Sequence, residues 1–280
     1  MSTIELYARY TVQFLNYSCK DFHAITYIDV DAFIKSLQIE GAKPATVNTV
    51  NATLKSFYKT MVDARFIESN PTAFLKKAKK QREQVLAGHL QHSFSAEEME
   101  TLLAYMQIHA PQRDYVLMMF LYTTGLRAIE ACSLTWDAII QWQNQWYVDV
   151  VGKGSKARRV YIPEKTFTLL MNYRQSTLQQ RPKTSIKSRL AEPIFPNQRK
   201  IHAHLSRHGM YKIIKRWIFE ALGKDASPHW MRHTCFTQQR LLGATLESIQ
   251  AGAGHASIET TMQYNEAAAL MDPAGKVFDG

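Results

Sequence analysis

The chain of 280 residues is 46% hydrophobic and 21% charged, proportions that are typical of folded globular proteins and exclude wholesale disorder. Its 34 Lys and Arg against 24 Asp and Glu leave a net charge of +10, which favours a polyanionic partner such as nucleic acid. The 3 cysteines are widely spaced, and this excludes a disulfide framework and a cysteine-based zinc site. We expect a cytoplasmic protein without a membrane partner, because the sequence contains no signal-peptide pattern and no long apolar run.

The first part of the chain predicts an all-helical domain over residues 1–82. Apolar side chains recur at helical spacing over residues 2–17. A second helix is predicted after Asp29 as its N-cap, and a third helix has Pro44 in its first turn. A short fourth helix is expected after Pro71.

A basic and polar segment follows, and we predict an interdomain linker over residues 83–94. Basic side chains are concentrated just before it, at Lys76, Lys77, Lys79, Lys80 and Arg82. They indicate either a solvated linker or a strap that lies along phosphates. The two interpretations are compatible, because a solvated basic segment can contact a polyanion when one is present.

Residues 95–265 predict a second domain, which is mostly helical. Ser95 and Glu98 form a capping-box pattern, and the next helix ends at Gly125. A third helix begins with LRAIEACSLTW, and the stretch QWYVDVVGKGSKARRVYIP predicts two strands joined by a turn. Further helices are predicted around residues 164–180, 205–222, 228–242, 245–251 and 258–264. The fold class is therefore mainly α with a small antiparallel β-sheet.

The segment SPHWMRHT places His229, Arg232 and His233 on one helical face about 100° wide. A zinc site of the H-E-x-x-H type is disfavoured, because Trp230 stands where that motif needs its glutamate. An arginine between histidines suits a phosphate, since it offers a forked donor beside an imidazole that can exchange a proton. Taken alone, the segment also fits an ordinary exposed basic turn.

Two further segments carry basic side chains. Arg127 is expected in the first turn of a helix, where an anion is favoured, with Glu130 three positions on. Lys153 lies at the predicted hairpin tip between glycines, where it could reach a ligand. A surface Arg–Glu pair and simple turn chemistry are the respective alternatives.

His255 and Tyr264 follow near the end of the chain. On an unbroken helix they would face opposite sides. Gly252 and Gly254 offer a break in the helix, and Ser257, with Glu259 in the following turn, predicts a fresh N-cap. Taken alone, Tyr264 also fits an ordinary core or interface residue.

In this order, TTGLRAIEACSLTW, GKGSKAR, SPHWMRHTCFT and GAGHASIETTMQY resemble the signature segments of the tyrosine recombinases, or phage integrase family. The resemblance covers about residues 95–264, and the first domain resembles the family's core-binding domain more loosely. It implies a simple two-domain, Xer-like enzyme with a tyrosine-recombinase catalytic domain. By position, it assigns catalysis to Arg127, Lys153, His229, Arg232, His255 and the nucleophile Tyr264, with Glu130 in support.

The resemblance also implies a mechanism. Tyr264 attacks a DNA phosphodiester and forms a 3′-phosphotyrosyl link, while Arg127 and Arg232 hold the nonbridging oxygens. Lys153, with Lys156 as its competitor, protonates the departing oxygen. His229 helps to take the tyrosine proton, His255 donates a hydrogen bond to the phosphate, and His233 is secondary. No metal, cofactor or ATP is expected.

The implied partner is double-stranded DNA with paired half-sites. A homo-tetramer, or a hetero-tetramer with a paralogue, would act through a Holliday junction in the nucleoid, with an accessory DNA-bending or regulatory protein. Residues 266–280 are expected to dock on a neighbouring subunit. Alternatives are a type IB topoisomerase-like enzyme and a noncatalytic DNA-binding relative. Besides the basic residues before the linker, candidate DNA contacts are Lys156, Arg207, Lys212, Lys215 and Arg216.

Overall fold

The computed structural model describes residues 3–76, 92–152, 157–179, 191–197, 203–254, 261–262 and 264. The chain divides into two compact units, residues 1–84 and 85–280. Most of the predicted linker and all of the predicted tail lie outside the described residues. Within the described ranges, no helix is long and apolar enough to cross a membrane.

Over its described residues, 3–76, the first unit contains three long helices, α1 (Thr3–Ser18), α2 (Tyr27–Ile39) and α3 (Pro44–Asp63). Pro44 is at the start of α3, as predicted, where its missing N–H costs no helical hydrogen bond. The helices bury one apolar cluster in which the ring of Phe14 lies 5.3 Å from that of Phe33 and 6.3 Å from that of Tyr58. This unit therefore has a hydrophobic core of its own.

Two predictions for the first unit are wrong in detail. The N-cap of α2 is Thr26 and not Asp29, because the Asp29 carboxylate reaches back and accepts the Thr26 backbone N–H at 2.8 Å. This makes Asp29 the third residue of a capping box. Residues 71–74 form a turn in place of the first residues of the expected fourth helix. The rest of that helix, from residue 77, lies outside the described residues.

The second unit is mainly helical with one small sheet, which confirms the predicted fold class. Its helices are α4 (Ala96–His109), α5 (Gln112–Thr124), α6 (Ala128–Ser133), α7 (Glu164–Gln179), α8 (Arg207–Leu222), α9 (Pro228–Leu241) and α10 (Leu246–Ala253). Its strands are β1 (Ile139–Trp142), β2 (Gln145–Val151) and β3 (Ala157–Ile162), paired antiparallel in the order β1-β2-β3.

Strand β1 was not predicted from the sequence. It joins β2 through Gln143 and Asn144, which have φ angles of 48° and 59°. Positive φ at both central residues is the geometry of a tight two-residue hairpin turn, for which glycine is the usual signal. Because neither turn residue is glycine, the sequence pattern did not reveal this hairpin.

Helix α5 organises the second unit, because it packs against α4, α7, α9 and β3. Buried apolar residues cover most of its circumference, as is typical of a helix enclosed by others. It ends at Gly125, whose φ of 62° is in the left-handed region. A Cβ atom at this position would lie 2.6 Å from the ring of Phe236 on α9. Gly125 therefore permits both the reversal of the chain and its close approach to α9.

We expect Gly125→Ala to destabilise the protein more than Gly223→Ala. Both glycines end a helix in the left-handed region, so both changes carry a backbone penalty of about 1 kcal/mol. Only Gly125 lacks room, since a Cβ at Gly223 has no neighbour within 4 Å. The displaced Phe236 ring should cost about 1–3 kcal/mol more. Urea unfolding of both variants measures the difference, and equal losses would refute the proposed packing constraint.

Candidate active site

Helix α9 carries the segment that first suggested a phosphate site. Ser227 is its N-cap and Pro228 its first residue. The rings of His229 and His233 lie 4.4 Å apart in an edge-on arrangement, as expected for side chains one helical turn apart. His229 is exposed, whereas His233 and Arg232 are buried. The three residues thus share a face, but they differ sharply in their access to solvent.

Arg232 is held between the ends of two helices. Its Nη1 donates to the Gly125 carbonyl at 2.7 Å, and its Nη2 donates to the Ala253 carbonyl at 2.6 Å. These carbonyls lie at the C-terminal ends of α5 and α10, where a cation is favoured. The residue is 2% exposed, and its guanidinium carbon lies 4.9 Å from the centre of the Phe236 ring.

Burial lowers the pKa of Arg232 to about 10, although the nearby Tyr264 phenol opposes this effect. The positive charges of Arg127 and Arg158 contribute to this lowering of the pKa, and the negative charge of Glu130 opposes it. Arg232 nevertheless remains a cation at neutral pH. It is a fixed, desolvated positive charge of the kind that strengthens the binding of an anion.

Arg127 is the N-cap of α6. The prediction that it lies in the first turn of this helix is therefore wrong by one residue. The Arg127 side chain is 39% exposed, and its Nη1 lies 3.1 Å from Oε1 of Glu130. The Arg127 backbone N–H donates to the other carboxylate oxygen at 2.8 Å. Helix α6 has only 6 residues, so an anion here would be attracted by the guanidinium and little by the helix dipole.

Arg158 is a member of this site that was not singled out from the sequence. Its Nη1 and Nη2 donate to Oε1 and Oε2 of Glu130 at 3.0 and 2.8 Å. Its Nε donates to the Gly252 carbonyl at 2.9 Å. The alternation of β3 could have revealed it, since residues 158, 160 and 162 share the face that turns away from solvent.

Glu130 is consequently buried between two arginines, with 4% of its side chain exposed. Burial alone would raise the pKa of its carboxyl group. Hydrogen bonds from Arg158 and from the backbone and side chain of Arg127 outweigh burial and lower the pKa below its ordinary value of 4.5. Glu130 is therefore ionised at neutral pH.

A cleft of about 400 Å³ brings several predicted residues together. Its polar lining consists of Arg127, Arg207, Tyr211, Ser227, His229 and Arg232. Tyr211 was not predicted, although it follows Arg207 at the four-residue spacing of neighbours on one helical face. The cleft thus combines cationic, imidazole and hydroxyl groups suited to a phosphate.

Tyr264 does not line this cleft and is only 1% exposed. Its ring lies 5.3 Å from that of Phe236 and 5.5 Å from that of His233. It belongs to a small apolar cluster with Cys235, Phe236, Ile249 and Ala253. The tyrosine is therefore buried against α9, close enough to Arg232 to affect its pKa.

Helix α10 ends at Ala253, and Gly254 follows with a φ of 62°. The sequence predicts a helix break at Gly252 and Gly254, and of these two glycines it is Gly254 that ends α10. Most of the chain between positions 255 and 264 lies outside the described residues, so a break between His255 and Tyr264 stays a prediction. Gly252 lies inside the helix. Lys153, Lys156, His255 and Ser257 lie outside the described residues.

The remaining predicted DNA contacts are not gathered at the cleft. Lys212 is exposed on α8. Lys215 pairs with Asp225 at 2.9 Å, and Arg216 lies over the ring of Trp217 and pairs with Glu220 at 3.7 Å. Lys76 is exposed in the first unit. Lys77, Lys79, Lys80 and Arg82 lie outside the described residues.

Residues 92–270 match the family model of the phage integrase family. The chain belongs to this family, the tyrosine recombinases, and the resemblance seen in its sequence segments is confirmed at this level.

Named relatives and solved structures agree with this assignment. The tyrosine recombinase XerD of Lacticaseibacillus casei is 31% identical over 84% of this chain and 76% of its own length. The XerD of Listeria monocytogenes serovar 1/2a is 28% identical over 96% of this chain and 89% of its own. A XerH site-specific recombinase bound to a palindromic difH substrate, in a post-cleavage complex, is similar in fold. It has a TM-score of 0.76 and 21% identity, and covers 99% of this chain and 80% of its own.

We expect Glu130→Gln to destabilise the protein by about 3–5 kcal/mol at neutral pH, because it leaves Arg158 buried without its charge partner. The folded-state pKa of Glu130 is lowered, so its carboxylate contributes stability above pH 4.5. This contribution is lost as the pH falls through the folded-state pKa. The wild type and the variant should therefore converge in stability under acidic conditions.

Denaturant unfolding at a series of pH values tests this expectation. Asp149→Asn is the matched control, because Asp149 pairs with Arg159 at 2.9 Å on the exposed face of the sheet. That change should cost less than about 1 kcal/mol. A constant gap between the wild type and Glu130→Gln at every pH would contradict the assignment.

Proposed function

We propose that this protein is a site-specific DNA recombinase that cleaves and rejoins strands through a 3′-phosphotyrosyl intermediate, without metal or ATP. The observation that carries the proposal is the convergence of Arg127, His229 and Arg232 on one cleft, with Tyr264 packed on α9 against His233 and Phe236 and close enough to affect the pKa of Arg232. Membership of the tyrosine recombinase family and the similarity to XerD proteins support it.

Charge stabilisation is the main contribution of the two arginines. Attack on a phosphodiester produces a five-coordinate phosphorus with additional negative charge on its nonbridging oxygens. Arg232 is fixed by two backbone carbonyls and Arg127 by Glu130, so neither guanidinium has to reorganise as this charge develops. A bound phosphate would also offset the cost of burying the Arg232 charge.

The bond changes balance without a cofactor. The Tyr264 oxygen bonds to phosphorus, and the bond from phosphorus to the 5′-oxygen breaks. The tyrosine proton passes towards His229, and Lys153, with Lys156 as its competitor, protonates the departing oxygen. His255 donates a hydrogen bond to the phosphate. The 5′-hydroxyl of a second strand then reverses these steps, and because the phosphotyrosyl bond conserves energy, no ATP is consumed.

His233 receives a more definite role from its position. Its ring lies 4.4 Å from that of His229 and 5.5 Å from that of Tyr264. We propose that His233 packs the Tyr264 ring against α9 and holds it at a fixed distance from the His229 imidazole in the cleft. Because Tyr264 is 1% exposed, cleavage requires its ring to leave the apolar cluster and enter the cleft.

We further propose that the partner is duplex DNA with paired half-sites. The first unit would act as the core-binding domain and residues 95–265 as the catalytic domain. A tetramer, of this chain alone or with a paralogue, would exchange strands through a Holliday junction. The similar XerH structure is described as bound to a difH substrate, and a similar lambda integrase structure as a dimer bound to a core site.

The DNA sequence that the protein binds in its host cells is first mapped at nucleotide resolution. The test then uses nicked duplexes that carry this sequence. The wild type should form a covalent protein–DNA adduct that survives denaturant, and Tyr264→Phe should form none. Tyr161→Phe, on the exposed face of the sheet, is the matched control and should react normally. Adduct formation by Tyr264→Phe, or none by the wild type on DNA that it binds, would refute the proposal.

Arg232→Ala should reduce the cleavage rate by about 10²–10³-fold, because it removes a preorganised donor to the developing charge. DNA affinity should change only a few-fold, since the residue is buried. Gel-shift titration and quenched-flow cleavage measure the two quantities separately. Parallel losses of affinity and rate would instead assign Arg232 to DNA binding.

A further inference from the structure

Arg158 connects three segments of the second unit that adjoin three of the proposed catalytic residues, Arg127, Lys153 and His255. Its guanidinium binds both oxygens of Glu130 on α6 and the carbonyl of Gly252 on α10. The residue itself is the second of β3. In the sequence, β3 follows the segment with Lys153, α6 follows Arg127, and α10 precedes His255.

The contact with the end of α10 is tight. A Cβ atom at Gly254 would lie 3.0 Å from Cδ and 3.1 Å from Nε of Arg158. The Gly254 carbonyl in turn accepts a hydrogen bond from Nη2 of Arg127 at 3.4 Å. Arg127 and Arg158 therefore grip the same carboxylate and the same turn, so a movement of one guanidinium is transmitted to the other.

We propose that Arg158 is a positioning residue for strand cleavage, which aims Arg127 into the cleft by fixing Glu130 and the turn at Gly252–Gly254. This inference rests on the proposed recombinase function. Arg158 does not line the cleft, so its effect on the reaction passes through Arg127 and through the chain that leaves α10. The Arg158 side chain is 11% exposed, so little water competes for its hydrogen bonds to the Glu130 carboxylate and the Gly252 carbonyl.

A lysine at this position would keep the charge and lose the geometry. The planar guanidinium serves both carboxylate oxygens and a carbonyl together, whereas an ammonium group is a compact point charge on a flexible stem. Arg158→Lys therefore tests whether the reaction needs the geometry of the guanidinium or only its positive charge. If Arg158 merely supported folding, this variant would be less stable, but each folded molecule would still cleave DNA at the normal rate.

The neighbouring Arg159 supplies a matched control. It also forks onto a carboxylate, with Nε and Nη2 at 2.9 and 3.2 Å from the two oxygens of Asp149. This pair lies on the exposed face of the same strand. Arg159→Lys thus makes the same chemical change one residue away, without contact to Glu130 or α10 among the described residues.

The experiment measures single-turnover cleavage at saturating DNA, with the adduct amplitude used to count active molecules, alongside the dissociation constant. Arg158→Lys should lower the rate per active molecule by about tenfold or more, as expected for a displaced catalytic group. Its DNA affinity should stay within about threefold, since affinity rests mainly on other phosphate contacts. Arg159→Lys should match the wild type in both quantities.

A normal rate per active molecule in Arg158→Lys, with only a lower melting temperature, would overturn the proposal. If that variant does not fold, Glu130→Asp displaces the same network with its charge retained, and a normal rate there would be equally decisive. If the wild type itself forms no adduct on DNA that it binds, the proposed function fails, and this outcome is distinct from a failure confined to Arg158.

Discussion

Glu130 is the carboxylate on which the positions of Arg127 and Arg158 depend. It is buried, ionised and bonded to both Arg127 and Arg158, while the nearby Arg232 rests on backbone carbonyls. Two guanidinium groups thus pair with one buried acidic side chain, and a third is close enough to feel its charge. The excess positive charge borders an open cleft, and a phosphate is the ligand that would neutralise it.

The fold supplies rigid supports for these charges. Helix α5 is enclosed by apolar contacts and ends at Gly125, whose carbonyl accepts from Arg232 and whose lack of a side chain admits Phe236. Helix α10 ends in a similar way at Gly254, beside Arg158. Two glycine-terminated helices therefore present their carbonyl ends to the arginines. The carbonyls left without partners where these helices end are thus the groups that hold the arginines in place.

Local sequence patterns predicted much of this architecture. Helical periodicity, the capping box at Ser95 and the glycine stop at Gly125 all describe contacts within one element, and the structure agrees with them. The shared face of His229, Arg232 and His233 follows from helical geometry in the same way. The family resemblance rested on these local segments, which is why it could be recognised without the structure.

Features that depend on contacts distant in sequence were missed. Arg158 belongs to the site only through its hydrogen bonds to Glu130 and Gly252, which are distant from it in the sequence. The burial of Tyr264 results from packing on α9, and no pattern around the tyrosine itself indicates it. Strand β1 was overlooked because Gln143 and Asn144 adopt a turn that glycine usually marks. Arg127 was placed one residue too far into its helix, since the Glu130 carboxylate caps that helix from within.

The central claim is that the hydroxyl of Tyr264 becomes covalently linked to a DNA 3′-phosphate. The most direct measurement is mass spectrometry of the peptide that retains a nucleotide after nuclease and protease digestion of the wild-type adduct. We predict that the nucleotide is attached to Tyr264 through a 3′-phosphate, with a free 5′-hydroxyl on the cleaved strand. Attachment to any other residue, or through a 5′-phosphate, would contradict this account.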